Sequence, residues 1–261
     1  MSLAAGLAAT AAWNAAVFLA LWLLSLRLRN ASLVDVYWGP GFAAIAALAF
    51  AGSDAPGARG VLLLAMTALW GVRLGAYLGW RNRGGGEDPR YAAMRRRHGE
   101  RFGRVSAYTV FGLQAALMWI VSLPVQVALL RPGGAGLGIA DALGVALWAT
   151  GLFFEAVGDW QLSRFLADPD NRGRVMDRGL WRYTRHPNYF GDSLVWWGIF
   201  AVAASTPAGP WTLPSPVLMT FLLMRVSGVP LLERSLVRTR PGYRDYVERT
   251  SGFLPRPPRL R

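Results

Sequence analysis

Glu155 and Asp159 stand four residues apart in one long apolar run, so on a helix they share a face. Asn188 and Asp192 repeat that spacing at the start of the next apolar run, with Trp196 one turn further on. The connector between the runs carries Arg172, Arg174, Arg178, Arg182, Arg185 and His186. Carboxylates accept hydrogen bonds from hydroxyls and amide NH2 groups, and guanidinium groups bind phosphate. The pattern suits a ligand that is part phosphate and part hydroxyl and amide, and a dinucleotide has that composition. Pro187 pre-organises the start of the second helix, so its free NH groups, Asn188, Arg182, Arg185 and His186 are expected to converge on an anion. Blander readings stay open. His186 could serve a purely structural hydrogen bond, and Arg73 or Arg174 could simply neutralise Glu155 and Asp159 in a helix bundle.

A second set of chemical residues lies earlier. Asp35 is followed by Tyr37, Trp38 and the run Gly39-Pro40-Gly41, which is expected to break or kink its helix. Arg73, Tyr77 and Arg81 fall at i, i+4 and i+8, again on one face. A Gly-rich turn and a cationic, helical stretch follow, where Arg83, Asp88, Arg90 and Tyr91 could fold back as a lid; a solvated basic surface is the plain alternative. The C-terminal tail brings Glu233, Tyr243 and Tyr246, either as an interfacial helix or as a cap that adds Tyr and Arg to the same pocket.

The elements that must carry these groups are membrane spans. Of 261 residues 53% are hydrophobic and 16% charged, with a mean hydropathy of +0.28; soluble domains carry about 25% charge. Crossing a bilayer takes about 20 apolar residues. Seven runs qualify, roughly 3–26, 32–52, 60–79, 107–130, 137–160, 189–206 and 214–232. The Arg-rich connections all fall on one side when the spans number seven and the N-terminus lies outside, as the positive-inside rule demands. The fold class expected is therefore an all-α integral membrane protein, one domain over residues 1–261. Cytoplasmic loops would span 80–106 and 161–188, and the tail 233–261 would cap that side. The net charge of +13 comes from Arg, and it fits anionic headgroups better than nucleic acid, which is not expected as a partner. With no Cys and only His98 and His186, no metal centre or thiol nucleophile is expected. The Arg-only use of basic residues points to a GC-rich bacterial genome, hence an inner-membrane location with the ligand site on the cytoplasmic face.

The blocks SLVDVYWGPGF, LWGVRLGAYLGWRNRGGGEDPRY, GLFFEAVGDWQLSRF, RGLWRYTRHPNYFGDSLVWWG and YRDYVERTSGFLP resemble the steroid 5α-reductase family, and RHPNYFGD followed by WW is also similar to the signature of membrane sterol reductases. The resemblance implies a seven-helix membrane enzyme using NADPH. It places Glu155, Asp159, Arg174, Asn188, Asp192 and Trp196 on the cofactor, with Arg73, Tyr77 and Arg83 as further contacts. Tyr183, Arg185, His186, Tyr243 and Tyr246 complete the candidate cofactor set. Ser235 and Thr239 stand near positions where the family has His and Tyr, and Tyr243 and Tyr246 could replace those. The implied reaction reduces a C=C bond conjugated to a ketone in a steroid or related isoprenoid, which needs a donor aimed at the carbonyl oxygen. In the family a carboxylate on span two and a Tyr on span three share that task. Asp35 matches the carboxylate, but Trp70 occupies the Tyr position, so Tyr37, Tyr77 or Asp35 itself must donate. A lipophilic substrate, surrounding lipid and a monomeric chain are expected.

Two other classes remain. Isoprenylcysteine and phospholipid methyltransferases share an RHPxYxG element and a Glu/Tyr tail, which makes an S-adenosylmethionine-dependent methyltransferase the alternative. The supply of Arg between Arg164 and Arg185 favours a ligand with several phosphate charges. In a non-enzymatic membrane protein the same polar groups would only hold helices together.

Overall fold

In the computed structural model, which describes residues 1–134, 136–226, 233 and 236–259, every regular element is helical. Ten helices are α1 Leu3–Leu28, α2 Leu33–Ala51, α3 Gly57–Arg81, α4 Pro89–His98, α5 Phe102–Ser106, α6 Leu113–Val121, α7 Leu123–Leu130, α8 Ile139–Ala167, α9 Pro187–Ala203 and α10 Pro214–Phe221. A short helix, Tyr243–Arg249, lies in the tail. Five stretches among the described residues are long and apolar enough to cross a membrane: α1, α2, α3, Pro89–Val121 and α8. Leu19, Leu23, Leu69, Val72, Leu143 and Phe153 are exposed on them, as lipid-facing side chains would be.

The spans follow the sequence with instructive shifts. Ahead of the fourth, Asp88 accepts a hydrogen bond from the Arg90 amide, Pro89 takes the first helical position, and α4 runs to His98. Gly99, at φ 52°, turns the chain into a 3-10 turn, from which α5 and a π-helical turn lead into α6. The cationic stretch expected to be helical inside the cytoplasmic segment 80–106 is helical. α9, at 17 residues, covers most of the sixth run. Of the seventh, residues 227–232 lie outside the described residues, while α10 and the turn Leu222–Val226 cover its start.

The chain divides into two compact units, Met1–Gly138 with Val202–Ser215, and Ile139–Ala201 with Pro216–Arg261. In the first, α2 continues through Pro40 as one helix, without the break that is one of the two expected outcomes. α3 packs closely against this turn. A Cβ on Gly39 would lie 2.3 Å from the Gly71 carbonyl oxygen, and one on Gly75 2.5 Å from the Pro40 ring and 3.2 Å from the Val36 oxygen. Glycines on α3 let the proline ring, and the Val36 carbonyl whose amide partner Pro40 removes, seat against backbone. Phe42, Ile45, Leu63 and Trp70 fill the core beside this contact.

The second unit is built on the α8–α9 crossing. Gly144, Gly151 and Gly158 recur every seven residues on α8. A Cβ on Gly151 would lie 2.5 Å from the Gly191 oxygen, one on Gly191 2.5 Å from the Gly151 oxygen, and one on Gly198 2.6 Å from the Gly144 oxygen. Two small-residue stripes thus bring the helices to backbone contact, and whatever polar groups flank the stripes are forced together.

Candidate functional site

In the second unit, Glu155, Asp159, Asn188 and Asp192 flank that glycine seam. Asn188 Nδ2 lies 3.4 Å from Asp159 Oδ1. The Glu155 Cγ stands 3.0 Å from where a Gly191 Cβ would be, one residue before Asp192. Glu155 and Asp159 are 2% and 5% exposed, and Trp196 is fully buried. Asp159 and the Asn188 amide therefore meet, with the buried Glu155 one helical turn before Asp159, and these groups can accept and donate hydrogen bonds to a polar ligand. The connector is anchored to α8 behind them: Gln161 Oε1 accepts from the Leu180 amide, and the Trp181 indole donates to the Gly158 carbonyl at 3.0 Å.

Arg174, Arg178 and Arg182 are exposed on the connector. Arg174 borders a groove with Asp177, Gly242, Asp245 and Arg249, and Arg249 pairs with Asp177. Tyr183 is exposed, and its carbonyl accepts from the Arg256 amide.

Arg185 and His186 serve partners that sequence spacing does not reveal. Arg185 Nε donates to Glu233 Oε1 at 2.7 Å and its Nη2 to Oε2 at 3.2 Å, while Nη1 donates to the carbonyls of Val247 and Thr250. His186 Nε2 lies 3.0 Å from the same Glu233 Oε1, and its ring stacks on Tyr189. Burial alone would raise the Glu233 carboxyl, but the hydrogen bonds from His186 and Arg185 outweigh it and hold the group below the usual carboxylate range. Tyr243 and Tyr246 pack beside this cluster, and the Tyr246 hydroxyl donates to the Trp181 carbonyl. Burial pushes both phenols well above their ordinary value. The tail is thereby strapped to the connector, with the Arg185 amide donating to Ser251 and the Thr184 hydroxyl to Phe253.

In the first unit, Asp35 has two partners from α4. Tyr91 OH donates to Oδ1 at 2.8 Å, and Arg90 Nη2 to Oδ2 at 2.8 Å. Gln114 Nε2 lies 3.3 Å from the Tyr91 hydroxyl oxygen. Arg90 is held in turn by Asp88, whose amide donates to Ser32 Oγ. Glu87 accepts two hydrogen bonds from Arg95 and one from the Ala31 amide; the Arg95 contact holds its carboxyl below the usual range against burial. The stretch from Glu87 to Arg95 is therefore a folded-back segment and not a bare basic surface.

Tyr37 packs edge-on against Phe18 at 5.7 Å, and its hydroxyl is buried with no hydrogen-bond partner among the described residues. Tyr77 lies half-buried on α3 with Arg81 5.7 Å over its ring, Arg73 is half-buried one turn earlier, and Arg83 is exposed just past the helix. Trp70 is wholly buried against Phe42.

What the sequence spacing did not reveal is that Tyr91, read there only as part of a lid, donates to Asp35. Its signal lay in Asp88-Pro89, a helix start that swings the next turn back across α2.

A sequence profile described as "Protein of unknown function (DUF1295)" matches residues 21–250. An uncharacterised protein of Schizosaccharomyces pombe is 25% identical over 269 residues, an overlap that takes in 90% of this chain and 76% of the yeast protein. No solved structure matches the chain.

Proposed function

We propose a function for this chain as a member of DUF1295, the family to which it belongs: it is a seven-span membrane reductase that uses NADPH to saturate the C=C bond of an enone steroid or related isoprenoid. The observation that carries the reading is the meeting of Asn188 with Asp159 beside Glu155 at the α8–α9 seam. Ionisable groups inside a membrane helix mark function by default, and these two lie beside an amide and next to an arginine-rich connector, which supports a polar, phosphate-bearing ligand. The donor set fits a dinucleotide. Glu155, Asp159 and Asn188 suit ribose hydroxyls and the carboxamide, while the exposed Arg174, Arg178 and Arg182 suit phosphate. Arg185 and His186, engaged by Glu233, support the connector from behind and need not touch phosphate.

When bound, the reduced nicotinamide supplies hydride to the β carbon of the enone. The protein's part is to bind and orient, to keep water out, and to neutralise the charge growing on the carbonyl oxygen. Asp35 and the Tyr side chains near it are the groups suited to the last task. The one-sided distribution of Arg over seven spans supports a nucleotide site on the cytoplasmic face and an N-terminus outside.

Titrating the purified protein in detergent with NADPH tests the reading: cofactor fluorescence should change saturably. S-adenosylmethionine should not compete. Binding of S-adenosylmethionine with indifference to NADPH would replace the reductase by the methyltransferase.

A further inference from the structure

We infer that the C-terminal end of α1 and the α5 helix beside it form a binding site for an anionic phospholipid. Arg27, Arg101 and Arg104 hold its phosphate, and an acyl chain lies along Leu23 and Tyr108. The site goes beyond the reductase reading and does not depend on it. All of its residues belong to the first unit.

Two contacts fix the geometry. The Trp22 indole donates to the Gly103 carbonyl at 2.9 Å, and a Cβ on Gly103 would lie 3.3 Å from Leu26 Cδ2. Further along, Asn14 Nδ2 donates to the Ala115 carbonyl at 2.9 Å. Residue numbers fall on α1 as they rise on its neighbour, so the two run antiparallel. From Trp22 and Gly103 both carry the same ladder. Arg27 has Leu23 one turn deeper and then Leu19, while Arg104 has Tyr108 one turn deeper and then Leu113. All six side chains are exposed. Cations at one end with apolar surface beneath them, on two helices clamped together, match the order of a phospholipid from headgroup to tail.

The cations are also unspent. Arg90 and Arg95, on the preceding helix, are engaged by Asp35, Asp88 and Glu87. Arg27, Arg101 and Arg104 make no ion pair or side-chain hydrogen bond among the described residues. Arg27 stands in the last turn of α1 and offsets the negative carbonyl end of that helix, a task one cation fills. Arg101 and Arg104 have no such task. Acids that could neutralise them are scarce: none precedes Asp35, and Glu100 alone lies between Asp88 and Asp141. Phe102 and Ser106 are buried on the inner side of α5, and the Trp22 bond holds that helix to α1, so the guanidinium groups project from a fixed base.

A small anion in water would use the arginines and leave Leu23 and Tyr108 idle. A ligand that covers both needs phosphate charge and hydrocarbon in one molecule, which an anionic lipid supplies.

Titrating the delipidated protein in detergent with dioleoylphosphatidylglycerol and dioleoylphosphatidylcholine, and counting bound lipid by native mass spectrometry, tests this. The wild type should favour the anionic lipid on the order of tenfold or more, the worth of two basic groups beside an anionic headgroup. Glycerol 3-phosphate, a headgroup without tails, should not displace it. Arg27→Gln with Arg104→Gln should erase the preference. Arg131→Gln with Arg238→Gln, which removes the same charge from exposed positions elsewhere, should keep it. Arg101→Gln with Arg104→Gln leaves the cation at the end of α1 in place and decides the matter if the first pair folds poorly. A wild type without preference overturns the site. So does displacement by glycerol 3-phosphate, which would mark a site for soluble anions, and so does an equal loss in the control pair, which would mark diffuse charge. None of these outcomes bears on the binding of NADPH.

Discussion

Arg185 and Glu233 form a two-point ion pair, at 2.7 and 3.2 Å, across 48 residues of sequence. The remaining Arg185 donors reach the Val247 and Thr250 carbonyls, so one guanidinium on the turn before α9 ties Glu233 to the tail helix and the residue after it. Removing one partner of a half-buried pair strands the other, at a cost of about 3 kcal/mol. Arg185→Ala should therefore lower the melting temperature in detergent and expose the chain around residues 249–256 to limited proteolysis. A tail as protected as in the wild type would show that the strap is held by other contacts.

Glu233 also sets an acid limit. Its carboxyl is depressed in the folded chain, so its contribution is complete above the unfolded value of about 4.3 and is lost as pH falls through the lower folded value. Glu87, held by Arg95, acts with the same sign. Stability should fall on acidification through that window, and Glu233→Gln should flatten the acid limb while lowering the plateau. Melting curves from pH 3 to pH 7 read this directly.

The glycine seam makes a steric prediction. A methyl on Gly151 would sit 2.5 Å from the Gly191 carbonyl oxygen and 2.6 Å from the Val195 amide, both backbone atoms that cannot swing away. Gly151→Ala should cost about 1–3 kcal/mol and move Glu155 relative to Asn188, weakening nucleotide binding. Gly86→Ala, with open space around it, should change neither.

How much of this was legible depends on distance along the chain. The i, i+4 pairs Glu155/Asp159 and Asn188/Asp192 could be read directly, because helical period alone puts each pair on one face. That the two faces meet required the glycines, whose seven-residue recurrence was present but counts only once a partner helix is known. Pro40 leaves α2 unbroken, and that Gly75 on the next helix makes room for its ring could not be read from the local sequence. The cationic stretch could be read as helix, and Asp88-Pro89 marks its start; what local pattern did not show is that α4 turns back to place Arg90 and Tyr91 on Asp35. The partners of Asp35 and Arg185 lie 56 and 48 residues away, and no local pattern predicts such pairings.

The central claim is that Asp159 and Asn188 hold a nicotinamide dinucleotide, and equilibrium binding of NADPH to the purified protein and to Asn188→Ala and Asp159→Ala measures it most directly. The account predicts saturable binding by the wild type, weakened at least tenfold in each variant (about 1.4 kcal/mol or more), with melting temperatures that show both variants folded. Wild-type affinity in both folded variants would contradict it.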